Sequence, residues 1–162
     1  MNGMTAPLHL VLCRQAHALG QALCGHVHGP EIVYASGLRR AVRTAEIVQQ
    51  RLSLPGAPIQ TPALNEIAFG EWEGQTPDAL AARYKTDFTR WQEDGVAPAT
   101  GWAETAAGIA DRVQRFLEIL FDQPHRQVAA VSSNGVARFF LARNPEAFAR
   151  LRQDNALKMA TG

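Results

Sequence analysis

Residues Glu31–Leu52 read EIVYASGLRRAVRTAEIVQQRL, and the change of pattern inside this stretch decides the fold. Glu31–Ala35 (EIVYA) is a short apolar run of strand length. Leu38–Leu52 then places Leu38, Ala41, Ala45 and Val48 at helical spacing, which makes one inward-facing stripe. Ser36 stands between the two segments. It is the expected N-cap, its hydroxyl placed to accept an orphan backbone N–H of the first turn. Pro55, Gly56 and Pro58 end the helix.

The same alternation continues on both sides. Leu8–Cys13 (LHLVLC) suits a buried strand, and Arg14–Cys24 carries Ala16, Leu19, Ala22 and Leu23 at helical spacing before Gly25 and Gly29–Pro30 break the chain. Ile59–Thr61 is a short third strand, and Leu64–Gly74 is irregular. Thr76 caps a helix that has Pro77 at its first position, where a missing N–H costs nothing. A further helical segment covers Asp87–Glu93, and Gly95–Gly101 is a loop. Thr105–Phe121 is the longest helix, with Ile109, Val113, Phe116, Leu117 and Leu120 as its buried stripe. Gln127–Ser132 is a fourth strand. Ser133–Asn134–Gly135 turns into a helix over Val136–Arg143, Asn144–Pro145 interrupts, Glu146–Arg152 resumes, and Ala156–Ala160 is a final strand. Strands alternating with helices predict an α/β fold, a three-layer α/β/α sandwich on a mostly parallel sheet, as one domain over 1–162. Ligands in such sheets bind beyond the carboxyl ends of the strands. That directs attention to the loops at Cys13–Arg14, Ala35–Gly37 and Ser132–Gly135.

Composition excludes several classes. The 162 residues are 46% hydrophobic and 19% charged, with a formal net charge of +1. No basic stripe marks a nucleic-acid binder. No apolar run approaches membrane-spanning length, and Met1–Pro7 does not read as a signal peptide. Cys13 and Cys24 make no disulfide framework, so a cytoplasmic location is expected, and each reads as a small buried hydrophobe. His26 and His28 share a face if extended, but no third ligand accompanies them, and no metal or other cofactor is expected.

Four segments in order resemble one family. Ala35–Glu46 (ASGLRRAVRTAE) resembles S-x-L-x-R-A-x-x-T-A-E. Leu64–Gly74 (LNEIAFGEWEG) resembles L-x-E-x-x-F-G-x-W-E-G. Ala103–Phe116 resembles G-E-S…R-V…F, with Ala103 for the glycine and Thr105 for the serine. Val131–Val136 (VSSNGV) resembles V-S-H-G-G-V, followed by Leu151–Ala156 (LRQDNA). These are motifs of the histidine phosphatase superfamily, the phosphoglycerate-mutase-like proteins. The second segment is most similar to the branch holding α-ribazole phosphatase and broad-specificity phosphatases. The resemblance implies that fold and a reaction through a phosphohistidine, without metal. A histidine in an R-H-G motif after the first strand attacks the phosphoryl group. Two arginines and a second histidine cradle its oxygens, and a glutamate protonates the leaving oxygen. The residue types suit the chemistry: a neutral imidazole is nucleophilic near neutral pH, guanidinium forks match phosphate oxygens, and a leaving alkoxide needs a positioned acid.

Placed on that pattern, Arg40 holds the second-arginine position and Glu66 the acid position. Neither histidine is present. One register puts Gln15 at the nucleophile position with Arg14 as the first arginine, and a second puts Cys13 there. A third makes Arg14–Leu23 the family's first helix and deletes the phosphate loop, the register favoured by the short spacing to the next strand. Ser133 stands at the second histidine, beside Asn134 in place of a glycine. The expected substrate-binding residues are Arg40, Arg14 and Asn134. The expected ligand is a small phosphorylated metabolite or inorganic phosphate, and a homodimer stays open. A glutamine amide carries no phosphoryl group, and losing a nucleophile costs orders of magnitude in turnover. The sequence therefore leans toward a catalytically inactive pseudo-phosphatase with anion binding retained. The alternative is a residual phosphomonoester hydrolase using Cys13 or His17 with Glu66.

Overall fold

The computed structural model describes residues 8–11, 29–125 and 127–141. The expected helix over Arg14–Cys24, the segment Glu146–Arg152, the strand Ala156–Ala160 and the candidate residues Cys13, Arg14, Gln15 and His17 lie outside these. The chain folds as two compact units. One is built from residues up to Glu66 together with Val113–Ser133, the other from Ile67–Arg112 and from Asn134 onward.

The first unit holds a parallel sheet in the order β1-β4-β2-β3, formed by β1 (Leu8–Val11), β2 (Ile32–Ala35), β3 (Ile59–Gln60) and β4 (Val128–Val131). Central β4 pairs with β1 from Leu8↔Val128 to Val11↔Val131 and with β2 from Ile32↔Val128 to Ala35↔Val131. All four residues of β4 are buried, as expected of a strand covered on both faces. The fourth strand is shorter than the expected Gln127–Ser132 and ends at Val131.

Strand β2 leads into helix α1 (Arg39–Arg51). Its apolar stripe, Ala41, Ala45 and Val48, packs with Val33 and Ala35 of β2 and Ala129 and Val131 of β4 in one buried cluster, flanked by Leu38, Leu52 and Leu54. The alternate β2 residue, Tyr34, faces the other way, its ring edge-on to Phe116 at 5.2 Å. Phe116 belongs to α4 (Ala106–Phe121), so helices cover opposite faces of one sheet, and period-two alternation along β2 divides its residues between them.

One expectation fails here. Ser36 is not the N-cap of α1: the cap is Leu38, and no side chain hydrogen-bonds there. The Ser36 amide instead donates to the Val131 carbonyl at 2.9 Å, which continues the β2–β4 ladder by one residue. Ser36 thus still belongs to the strand direction, two residues short of the cap position.

In the second unit, α2 (Pro77–Arg83) starts as read, with the Thr76 side chain accepting from Ala79 N and Pro77 in the first turn. It is followed by α3 (Lys85–Asp94), ended by Gly95 in the left-handed region at φ 68°. The irregular stretch contains a short 3₁₀ turn at Gly70–Trp72. Around it lies an aromatic cluster: Trp102 stands edge-on to Trp91 at 4.8 Å, to Phe69 at 5.0 Å and to Trp72 at 5.6 Å. Helix α5 (Asn134–Leu141) begins one residue into the expected turn, so Asn134 is its first residue rather than part of a loop.

Gly70 is held in place by backbone. Its φ is +54°, and a Cβ there would sit 2.6 Å from the Gly101 carbonyl oxygen and 2.7 Å from the Ala103 nitrogen. The two strands of chain are joined by Glu71 N→Gly101 O and Ala103 N→Ala68 O hydrogen bonds, so neither obstacle yields as a side-chain tip would. Gly70→Ala is expected to lower stability by about 2 kcal/mol, combining the left-handed penalty with the overlap. Urea denaturation measures this.

Candidate functional site

The carboxyl ends of β2 and β4 are adjacent because Ala35 pairs with Val131. The residues that follow them, Ser36 on one side and Ser132–Ser133 on the other, therefore emerge together, where α1 also starts. There an open pocket of about 80 Å³ is lined by Ser36, Arg40, Thr44, Ser132 and Ser133 over apolar Leu38, Ala41 and Val131. One water occupies roughly 10–15 Å³ on the same measure, so several water-sized groups fit.

Three of these side chains are held by identifiable bonds. Ser132 Oγ donates to the Leu64 carbonyl at 2.7 Å. Ser133 Oγ donates to Glu66 Oε1 at 2.5 Å. Glu66 Oε2 lies 3.8 Å from Arg40 Nη2, an ion pair whose arginine side chain is 72% exposed. Glu66 is placed by the loop carrying Asn65, whose Oδ1 accepts the Gly37 amide at 2.8 Å and so ties this loop to the entrance of α1. The Ser36 hydroxyl is the exception. Ser36 is fully buried, and its oxygen has no hydrogen-bond partner.

Of the sequence-predicted residues, Arg40, Glu66 and Ser133 come together. Asn134 is at the start of α5 in the other unit. No base stands beside Ser133 in the sequence, and its partner Glu66 is 67 positions away. The sequence points to the Ser132–Gly135 loop but not to Thr44 as a lining residue, and it reads Ser36 as a cap. Thr44 was detectable: four residues past Arg40, it falls on the same helical face.

Chemically, the pocket offers a guanidinium, hydroxyls and a helix start with no side-chain cap, all suited to an oxyanion. Among the described residues no histidine lines it. His125 instead pairs with Glu31 at 3.2 Å.

The sequence profile of the histidine phosphatase superfamily, branch 1, matches residues 6–158. The chain belongs to this superfamily. Among the histidine phosphatases similar to it is the adenosylcobalamin/α-ribazole phosphatase of Escherichia coli (strain K12), 32% identical over 114 residues that cover 70% of this chain and 55% of the relative. Phosphoserine phosphatase 1 of Hydrogenobacter thermophilus is 29% identical over 76% of this chain and 56% of its own length. The chain spans about half the length of these curated relatives. The mycobacterial glucosyl-3-phosphoglycerate phosphatase in complex with VO3 superposes with a TM-score of 0.63 at 26% identity, over 90% of this chain and 70% of that one. The α-ribazole phosphatase of Shigella flexneri gives 0.58 at 29% identity, over 80% and 62%. The parallel sheet with helices on both faces is accordingly the three-layer α/β/α fold of histidine phosphatases. No helix among the described residues is long and apolar enough to cross a membrane.

Proposed function

We propose that this histidine-phosphatase-fold protein is a pseudo-phosphatase, which binds a phosphate-like oxyanion at the Arg40 pocket and does not transfer it. The observation that carries the reading is the pairing of Ser133 with Glu66 at 2.5 Å. At the position where the family resemblance calls for a phosphate-cradling histidine, the chain has a hydroxyl, and that hydroxyl is committed to the residue in the acid position. The sequence supports the same conclusion at the first strand, where Gln15, Cys13 or a deletion replaces the nucleophile. Binding is supported by Arg40 and by the buried, unpartnered hydroxyl of Ser36. The relatives are named for phosphorylated substrates, and a structural neighbour is known in complex with inorganic phosphate.

Assay with p-nitrophenyl phosphate tests the first half of this reading. Turnover is expected to stay at background, because a missing nucleophile and partner remove the covalent route. Thermal denaturation with phosphate or vanadate tests the second half, since a ligand that binds only the folded state raises the melting temperature. Turnover that Glu66→Gln removes would contradict the first half, and no shift at millimolar ligand would contradict the second.

Retention of Glu66 beside Arg40, 3.8 Å away, favours a second reading. That reading is residual phosphomonoester hydrolysis with Cys13 or His17 as the replacement nucleophile. A trapped phosphoenzyme lost in Cys13→Ser would select it.

A further inference from the structure

From the placement of Glu66 we infer that the pocket selects oxyanions that carry a proton: at neutral pH and above, inorganic phosphate rather than a phosphomonoester or sulfate. The inference rests on the anion-site reading above and adds the identity of the ligand. Arg40 and the Ser36 hydroxyl attract any oxyanion. The guanidinium only donates and the hydroxyl can donate or accept, so neither excludes a bare oxygen. Glu66 does exclude it. Its carboxylate only accepts hydrogen bonds when ionised, and it touches two lining residues, Ser133 at 2.5 Å and Arg40 at 3.8 Å. Glu66 is not itself a lining residue, but its carboxylate lies 3.8 Å from Arg40 Nη2, so an anion seated on the Arg40 guanidinium approaches that carboxylate closely.

The outcome then depends on the ligand's proton. An oxyanion with a P–OH group donates it to the carboxylate in a short, charge-assisted hydrogen bond. A fully deprotonated oxyanion sets acceptor against acceptor and like charge against like charge. Sulfate has no proton near neutral pH. A phosphomonoester loses its second proton at about pH 6, so above that it also presents bare oxygens. Inorganic phosphate keeps at least one proton until strongly alkaline pH. The glutamate that would serve a relative as acid thus acts here as a specificity-determining acceptor. No bond is made or broken in this role.

Calorimetric titration of the full chain near pH 8 with inorganic phosphate, sulfate and methyl phosphate tests it. Phosphate is expected to bind roughly tenfold or more tightly than the other two, the cost of one acceptor left facing another. In Glu66→Gln the amide supplies donors, and sulfate and methyl phosphate are expected to gain about tenfold, closing the gap. Equal affinity of the wild-type chain for all three ions overturns the selectivity and leaves the anion site standing. An unchanged ranking in Glu66→Gln overturns the role of Glu66. No binding of any ion overturns the anion site and this inference with it. The wild-type ranking is decisive even if Glu66→Gln does not fold.

Discussion

Trp91→Ala is expected to destabilise the protein by about 4 kcal/mol. Trp91 is 2% exposed and stands edge-on to Trp102 at 4.8 Å, with Phe69 and Phe139 also in ring contact. Truncation removes an indole from a packed cluster of rings. It also removes the platform under Arg138, whose guanidinium carbon lies 4.9 Å from the Trp91 ring centre. Arg138 is itself 3% exposed, and burial pulls its pKa down. Its Nη1 donates to the carbonyls of Trp91 and Gln92, and the cation–π contact contributes about 0.5–2 kcal/mol. The melting temperature is expected to fall by roughly 10 °C. Trp91→Phe keeps a ring under Arg138 and recovers part of the loss. Differential scanning calorimetry distinguishes this from a surface effect, for which the shift would be within experimental scatter.

Arg40→Ala has the opposite signature: a large effect on binding with almost none on stability. The Arg40 side chain is 72% exposed, and its pair with Glu66 is 3.8 Å long. Such a pair contributes a few tenths of a kcal/mol at most, so the ligand-free melting temperature is expected to stay unchanged. Phosphate binding is different. The guanidinium fork supplies charge-assisted bonds of about 2–3 kcal/mol together, and without it affinity is expected to fall roughly 30–150-fold. The stabilisation by millimolar phosphate should vanish accordingly. Arg40→Lys keeps the charge and loses the fork, and is expected to fall between the two. Thermal denaturation with and without phosphate reads all three variants in one experiment. Unchanged phosphate stabilisation in Arg40→Ala would move the site elsewhere.

The fold was legible where apolar residues recur at a clear period. Leu38, Ala41, Ala45 and Val48 announced α1, and all four lie in or against the core cluster it forms with the sheet. Thr76 and Pro77 marked the start of α2 because capping and proline chemistry are local. Ser36 misled for the same local reason. A serine before a helix reads as a cap, and only the long-range pairing of β2 with β4 shows that it is still part of the ladder. The site followed the same division. Arg40 and Glu66 were readable from motif position, but the bond joining Glu66 to Ser133 spans 67 positions and leaves no periodic trace. That no histidine stands at either motif position is a reading of the sequence alone, and the loop after the first strand lies outside the described residues.

Binding without cleavage is the central claim, and ³¹P NMR of the full chain with inorganic phosphate and a phosphomonoester in one tube tests it most directly. The account predicts that the inorganic phosphate line broadens and shifts as protein is added, while the monoester line keeps its full intensity over hours. A monoester line that decays as the phosphate line grows, at a rate proportional to protein concentration, would contradict it.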